Sequence, residues 1–215
     1  MTSGTRIDPP RSGLRRLLGV DRRAWLLWVS ASSLTAHAQT FDLKSLMQRM
    51  AQRKSGEARF TEERIVSGFD SPLTASGVLS FAAPDRFARH TLQPVKESME
   101  VQGRTLLLRR GGRTRQMEMD ALPEVGALLE AMRATLTGDL ALLRKHFATE
   151  LSGDEGRWIL RLKPLDERLA RQLLQIELVG QAADVRSIAM QLAGGDRSLM
   201  LLEPLGPPGP QASPR

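Results

Sequence analysis

Beyond residue 38 the chain has two histidines, His90 and His146, which stand 56 positions apart. Acid–base or metal chemistry needs such groups next to a second titratable or ligating side chain. The two are far apart in sequence and no cluster of metal ligands surrounds either, so each reads as a surface or strand residue. The chain contains no cysteine, which removes disulfides, thiolate nucleophiles and thiolate metal sites. There is no G-x-S-x-G nucleophile elbow and no G-x-x-x-x-G-K-S/T phosphate loop. Asp154-Glu155 imitates a carboxylate pair, but Gly153 and Gly156 bracket it and make it a solvated turn. Glu62-Glu63 falls in a strand, so one side chain points out and one points in. The sequence shows no catalytic constellation and no cofactor motif.

The apolar residues carry more information. Eight methionines follow Met1, and Met99, Met117, Met119, Met132 and Met190 fall on expected strands or on an expected helix. Methionine adapts to irregular surroundings, which suits a surface that accepts variable chains. An ordinary core with methionines filling gaps is the other reading of the same composition.

Those residues sit on a simple succession of elements. Leu43, Leu46, Met47 and Met50 recur at helical spacing and predict a helix over 42–53, with Asp42 as N-cap and Gly56 just past its end. Strands are expected over 58–66, 73–81, 86–93, 95–101, 105–109 and 113–119. In the second, Leu73, Ala75, Gly77, Leu79 and Phe81 share a face. Gly111-Gly112 supplies a hairpin turn between the fifth and the sixth. Pro123 opens a helix to Thr137 whose stripe is Val125, Leu128, Leu129, Met132 and Leu136. Gly138 ends it and Asp139 caps a second helix over 140–147. Strands resume over 157–163, 173–179, 185–192 and 197–203, four or five in all, with a possible helical turn inside 164–171. Short strands joined by tight turns predict an antiparallel meander, and the inserted helix pair makes the fold α+β.

The two ends stand apart from this pattern. Residues 1–38 read as a cleavable signal peptide: arginines come first, Ala24 to Thr35 is apolar, and Ala36-His37-Ala38 fits cleavage after Ala38. The apolar run is shorter than the roughly 20 residues of a bilayer span, although an N-terminal anchor is the alternative. The general secretory route is favoured over a twin-arginine route, and Val20 is an alternative start. The first 38 residues hold six arginines against Asp8 and Asp21, so 25 basic and 22 acidic residues remain, a balance of +3 rather than +7. That balance, with 4% aromatic residues and no tyrosine, argues against nucleic acid. Residues 39–203 form one domain, and 204–215, rich in proline and glycine, form a disordered tail.

One stretch has a recognisable order: Asp42-Leu43-Lys44-Ser45, Phe60-Thr61-Glu62, Gly77-Val78-Leu79, Pro84-Asp85-Arg86-Phe87, His90, Gln93-Pro94 and Gly103-Arg104-Thr105-Leu106. It resembles the LolA-type periplasmic lipoprotein carriers of Gram-negative bacteria. The resemblance implies an antiparallel open β-barrel, a half-barrel of ten to eleven strands, with an N-terminal helix and a helical lid at 123–147. It implies a monomeric periplasmic carrier of acyl chains, taking a lipoprotein or lipid from an inner-membrane exporter towards the outer membrane, with an acceptor lipoprotein there as a candidate partner.

For the site, the resemblance points to Leu79, Phe81 and Phe87, the last lining the acyl cavity. Met99, Val101, Leu106, Leu108, Met117 and Met119 are further lining candidates. Leu128, Leu129, Met132 and Leu136 would fill the barrel from the lid when no lipid is present. In the family an arginine precedes the proline and holds the lid helices; here Ala83 occupies that position, leaving Arg86 or Arg89 as substitutes. Two other readings remain: an enzyme of lipid metabolism, and a periplasmic sensor or adaptor that uses the same fold to bind a protein.

Overall fold

The computed structural model describes residues 41–119 and 123–206; the expected signal peptide, the cleavage site at Ala38 and residues 207–215 lie outside the described residues. Asp42 caps helix α1 (Leu43–Ala51): its carboxylate accepts the Ser45 amide at 2.7 Å, and its own amide donates to the Ser45 hydroxyl at 3.0 Å. The Ser45 amide holds the Asp42 carboxyl below the usual carboxylate range. The apolar stripe of Leu43, Leu46, Met47 and Met50 is buried. The helix ends two residues before the expected limit. Gly56 does not cap it but lies inside the first strand, where a Cβ would stand 2.6 Å from the Phe81 ring.

Six strands follow as a meander: β1 (Ser55–Ile65), β2 (Leu73–Ala82), β3 (Arg86–Gln93), β4 (Glu97–Gln102), β5 (Thr105–Arg110) and β6 (Arg113–Glu118). Gly111 and Gly112 both have positive φ, 56° and 74°, the backbone of a two-residue type I′ hairpin turn. Helices α2 (Pro123–Thr137) and α3 (Leu140–His146) interrupt the strands. Asp139 caps α3 by accepting the Leu142 amide at 2.9 Å.

A second meander completes the chain: β7 (Phe147–Gly153), β8 (Trp158–Pro164), helical turn α4 (Glu167–Ala170), β9 (Leu173–Gln181), β10 (Asp184–Leu192) and β11 (Arg197–Leu205). Strand β7 is the element that periodicity missed, because its exposed and half-buried residues follow directly on the helical stripe. Phe147 opens that strand instead of closing α3. Strand β11 runs through Pro204 to Leu205, two residues into the expected tail, because it pairs with β1 as far as Glu57↔Leu205.

All eleven strands form one antiparallel sheet in the order β6-β5-β4-β3-β2-β1-β11-β10-β9-β8-β7. The sheet is open: β6 and β7 are its two edges. Strand β1 joins the two meanders by pairing with β2 on one side and β11 on the other. Helices α1, α2 and α3 pack on one face, where Leu46, Met47, Met50, Ala134 and Leu143 meet Phe60, Leu79, Leu160, Ile176 and Leu178 in the main core. This matches the expected half-barrel with an N-terminal helix and helices over one face. No helix among the described residues is long and apolar enough to cross a membrane.

Candidate ligand-binding cavity

Register decides which face each strand residue occupies. Phe81, Phe87, Val101, Leu106 and Met117 are successive cross-strand partners over β2 to β6. The next row is Leu79, Arg89, Met99, Leu108 and Arg115. Both rows lie on the helix-covered face, since Leu129 of α2 packs with Val101 and Leu106 in one buried cluster. Phe87 borders both that cluster and the main core.

Two recesses open where α2 crosses this face. The larger, with a cavity volume of about 90 Å³, lies between α1, α2, β1, β2 and β10, and Leu79, Phe81, Phe87, Met132 and Leu136 help to line it. The smaller, about 20 Å³, is lined by Phe81, Phe87, Val101, Met119, Leu129 and Leu136. Phe81, Phe87 and Leu136 border both, so they partition one apolar space. Formed small-molecule pockets run to roughly 300–1,000 Å³. The space under α2 is therefore largely filled by side chains.

The sequence-predicted residues divide accordingly. Eight of them border a recess: Leu79, Phe81, Phe87, Val101, Met119, Leu129, Met132 and Leu136. Met99, Leu106, Leu108 and Met117 border neither and pack in the cluster around Leu129. The side chain of Leu128 lies outside the described residues. Sequence reasoning missed the other wall of the larger recess: Met50, Ala58, Leu178, Val185, Ile188 and Leu202. Period-two alternation marks several of these, but only the β1–β11 pairing brings them opposite Phe81.

Polar groups sit at the margins. Arg53, just past the end of α1, lies 2.5 Å from Asp184, which also faces Arg186 at 3.6 Å. Glu62 is the inward member of Glu62-Glu63; it is buried and paired with Arg89 at 2.6 Å. Arg89 also lies over the Phe60 ring, 4.5 Å from its centroid. Neither Arg86 nor Arg89 hydrogen-bonds a helix carbonyl among the described residues. Other contacts hold α2 and α3: buried Ala131 and Ala134 allow close packing, His146 Nε2 of α3 lies 2.9 Å from Glu130 of α2, and Gly138 sits against α1.

The residues considered for chemistry stay apart. His90 is exposed on β3 and its cross-strand partners are Val78 and Ser98, on the face away from the helices. Asp154 accepts the Gly156 and Arg157 amides at 2.8 and 3.0 Å, which makes the expected turn, and Glu155 pairs with Arg49. Among the described residues no cluster of three His, Cys, Asp or Glu side chains is placed to hold a metal. The arrangement is an apolar sheet face covered by a helix.

A family model described as outer membrane lipoprotein carrier protein LolA-like matches residues 35–205. Among solved structures, a LolA superfamily protein from Nitrosomonas europaea is 10% identical with a TM-score of 0.43, over 76% of this chain and 92% of that one. A chain in the MucA/MucB complex of Pseudomonas aeruginosa is 17% identical with a TM-score of 0.45, over 80% of this chain and 62% of that one. No curated protein matches. The family match spans the helix, both meanders and the α2–α3 insertion, and on that span the chain belongs to the LolA-like family of outer membrane lipoprotein carrier proteins.

Proposed function

We propose that the protein is a periplasmic carrier that binds the acyl chains of a lipoprotein or lipid beneath α2 and passes them from an inner-membrane exporter towards the outer membrane. The observation that carries this reading is the continuous apolar row Phe81, Phe87, Val101, Leu106 and Met117 lying under Leu129 and bordering Met132 and Leu136. It needs no catalytic group and no cofactor.

Energetics give the helix its role. Burying a chain of about 16 carbons gains on the order of 12 kcal/mol at 0.8 kcal/mol per methylene. A carrier that kept the whole gain would not release its cargo. A helix that fills the space when it is empty recovers much of that energy, so cargo competes with α2 and net affinity stays modest. The small residual cavity, bordered by Met132 and Leu136, supports this competition.

The test is native mass spectrometry with lipid extraction on protein purified from its own periplasm, paired with binding of a fluorescent fatty-acid probe. A co-purifying acylated species is expected, with probe binding that Phe87→Glu abolishes by placing a charge in the apolar space. A clean apo mass with no probe binding would reject the carrier reading and favour the adaptor, for which a stable protein complex without lipid is the signature.

A further inference from the structure

The meander β1–β6 makes its first, third and fifth turns at the same end of the sheet, away from the recesses under α2. That end is unusual in its surface. Four of the exposed large hydrophobic residues lie on its turns or the adjoining strand ends: Phe69 (60% exposed), Leu73 (42%), Leu92 (52%) and Val95 (46%). Beside them stands the tip of the β5–β6 hairpin, with Arg109, Arg110, Arg113 and Arg115 inside seven residues. Arg110 and Arg113 are direct cross-strand partners, and like charges placed so are unfavourable unless something anionic lies between or over them. Arg109 and Arg110 are paired with Glu100 and Glu97, whereas Arg113 and Arg115 are exposed and have no ion pair among the described residues. Lys96 adds another cation. Asp70 lies on the first turn, and Asp196 of the adjacent β10–β11 turn is engaged by the Ser67 amide at 2.8 Å. Basic groups therefore prevail at the hairpin tip.

We propose that this end of the sheet docks on the surface of a bilayer containing anionic lipids. The apolar tips are carried on separate hairpins at one end of the sheet and can enter the headgroup region of a surface together. Aromatic and aliphatic tips combined with arginines have the composition of an interfacial anchor, in which buried apolar area and attraction to lipid phosphates add. Docking at this end leaves the recesses at the opposite end of the sheet free for exchange with a partner. The proposal concerns a surface that the carrier reading does not use, and it stands or falls separately.

The experiment is co-sedimentation of the purified protein with vesicles of equal parts phosphatidylglycerol and phosphatidylcholine, against vesicles of phosphatidylcholine alone. Binding to the anionic vesicles only is expected, and it should weaken as salt is raised. Arg113→Gln with Arg115→Gln should lower partitioning on the order of 20-fold, while Arg113→Lys with Arg115→Lys retains most of it. Circular dichroism and unchanged fatty-acid probe binding would show that the glutamine variant is folded. Phe69→Ser with Leu92→Ser should weaken the binding that survives at high salt. No sedimentation with anionic vesicles, or equal sedimentation of the wild type and the glutamine variant, would overturn the proposal. Phe87→Glu should lose the probe yet still sediment, so failure of the carrier reading is distinguishable.

Discussion

Arg89 reaches across β2 from β3 to pair with Glu62 of β1, 2.6 Å away, on the face that α2 covers. The guanidinium also lies over Phe60, and its Nε is 3.4 Å from the Thr91 hydroxyl. All of these partners belong to the sheet. Arg89 thus ties β1 to β3 within the sheet, and none of these partners is on a helix. The Ala83 amide donates to the Lys54 carbonyl at 2.7 Å.

Removing one partner should cost more than removing both. Arg89→Met strands the buried Glu62 carboxylate, and a loss of roughly 3 kcal/mol is expected in urea unfolding. Glu62→Leu combined with Arg89→Met leaves no unpaired charge and should recover most of that loss. A double variant as unstable as the sum of the single ones would mean that the pair contributes through packing alone.

Met132→Ala with Leu136→Ala should raise affinity for a fatty-acid probe. Both side chains border the larger recess, so shortening them weakens the empty, closed state more than the loaded one. A tenfold gain corresponds to about 1.4 kcal/mol, a fraction of what two such truncations remove from a core. A fall in affinity would show that α2 grips cargo instead of competing with it.

Gly138 and Gly68 separate steric from conformational cost. Both have positive φ, 71° and 89°. A Cβ at Gly138 would meet the Met47 carbonyl at 2.0 Å, while one at Gly68 would meet nothing within 4 Å. Gly68→Ala should cost about 1 kcal/mol of left-handed strain. Gly138→Ala should cost about 3 kcal/mol, since it also pushes the α2–α3 turn off α1. Thermal unfolding of the two variants side by side tests this.

Gly180 keeps its place because the Trp158 indole lies on it: a Cβ there would stand 2.1 Å from Cζ2. Trp158 Nε1 donates to the Ala182 carbonyl at 2.9 Å. Gly180→Ala should displace the ring, destabilise the second meander by about 2 kcal/mol and shift the emission of Trp158, the one tryptophan after residue 38. Unchanged emission would place the strain elsewhere.

Local pattern in the sequence was enough for the elements whose cause is local. Helix α2 spans Pro123 to Thr137 as its stripe and end signals require, and β3 spans Arg86 to Gln93 between two prolines. The hairpin at Gly111-Gly112 follows from two residues that accept positive φ. The run from Phe60 to Leu106 was enough for the family, because motif order survives where identity does not. Strand β7 was not legible: its register against β8, not its own periodicity, makes it a strand.

The cavity depended on the tertiary structure for the same reason. Alternation shows that Leu79, Phe81 and Phe87 share faces with their neighbours, but a period of two has no preferred direction. The direction is set when β1 pairs with β11 and carries Leu178, Ile188 and Leu202 opposite Phe81. Gly56 shows the same limit, since it reads as a helix terminator in sequence and serves in the fold as room for the Phe81 ring. Nearest-neighbour preferences are written along the chain, whereas a cavity wall is made by strands more than a hundred residues apart meeting across one sheet.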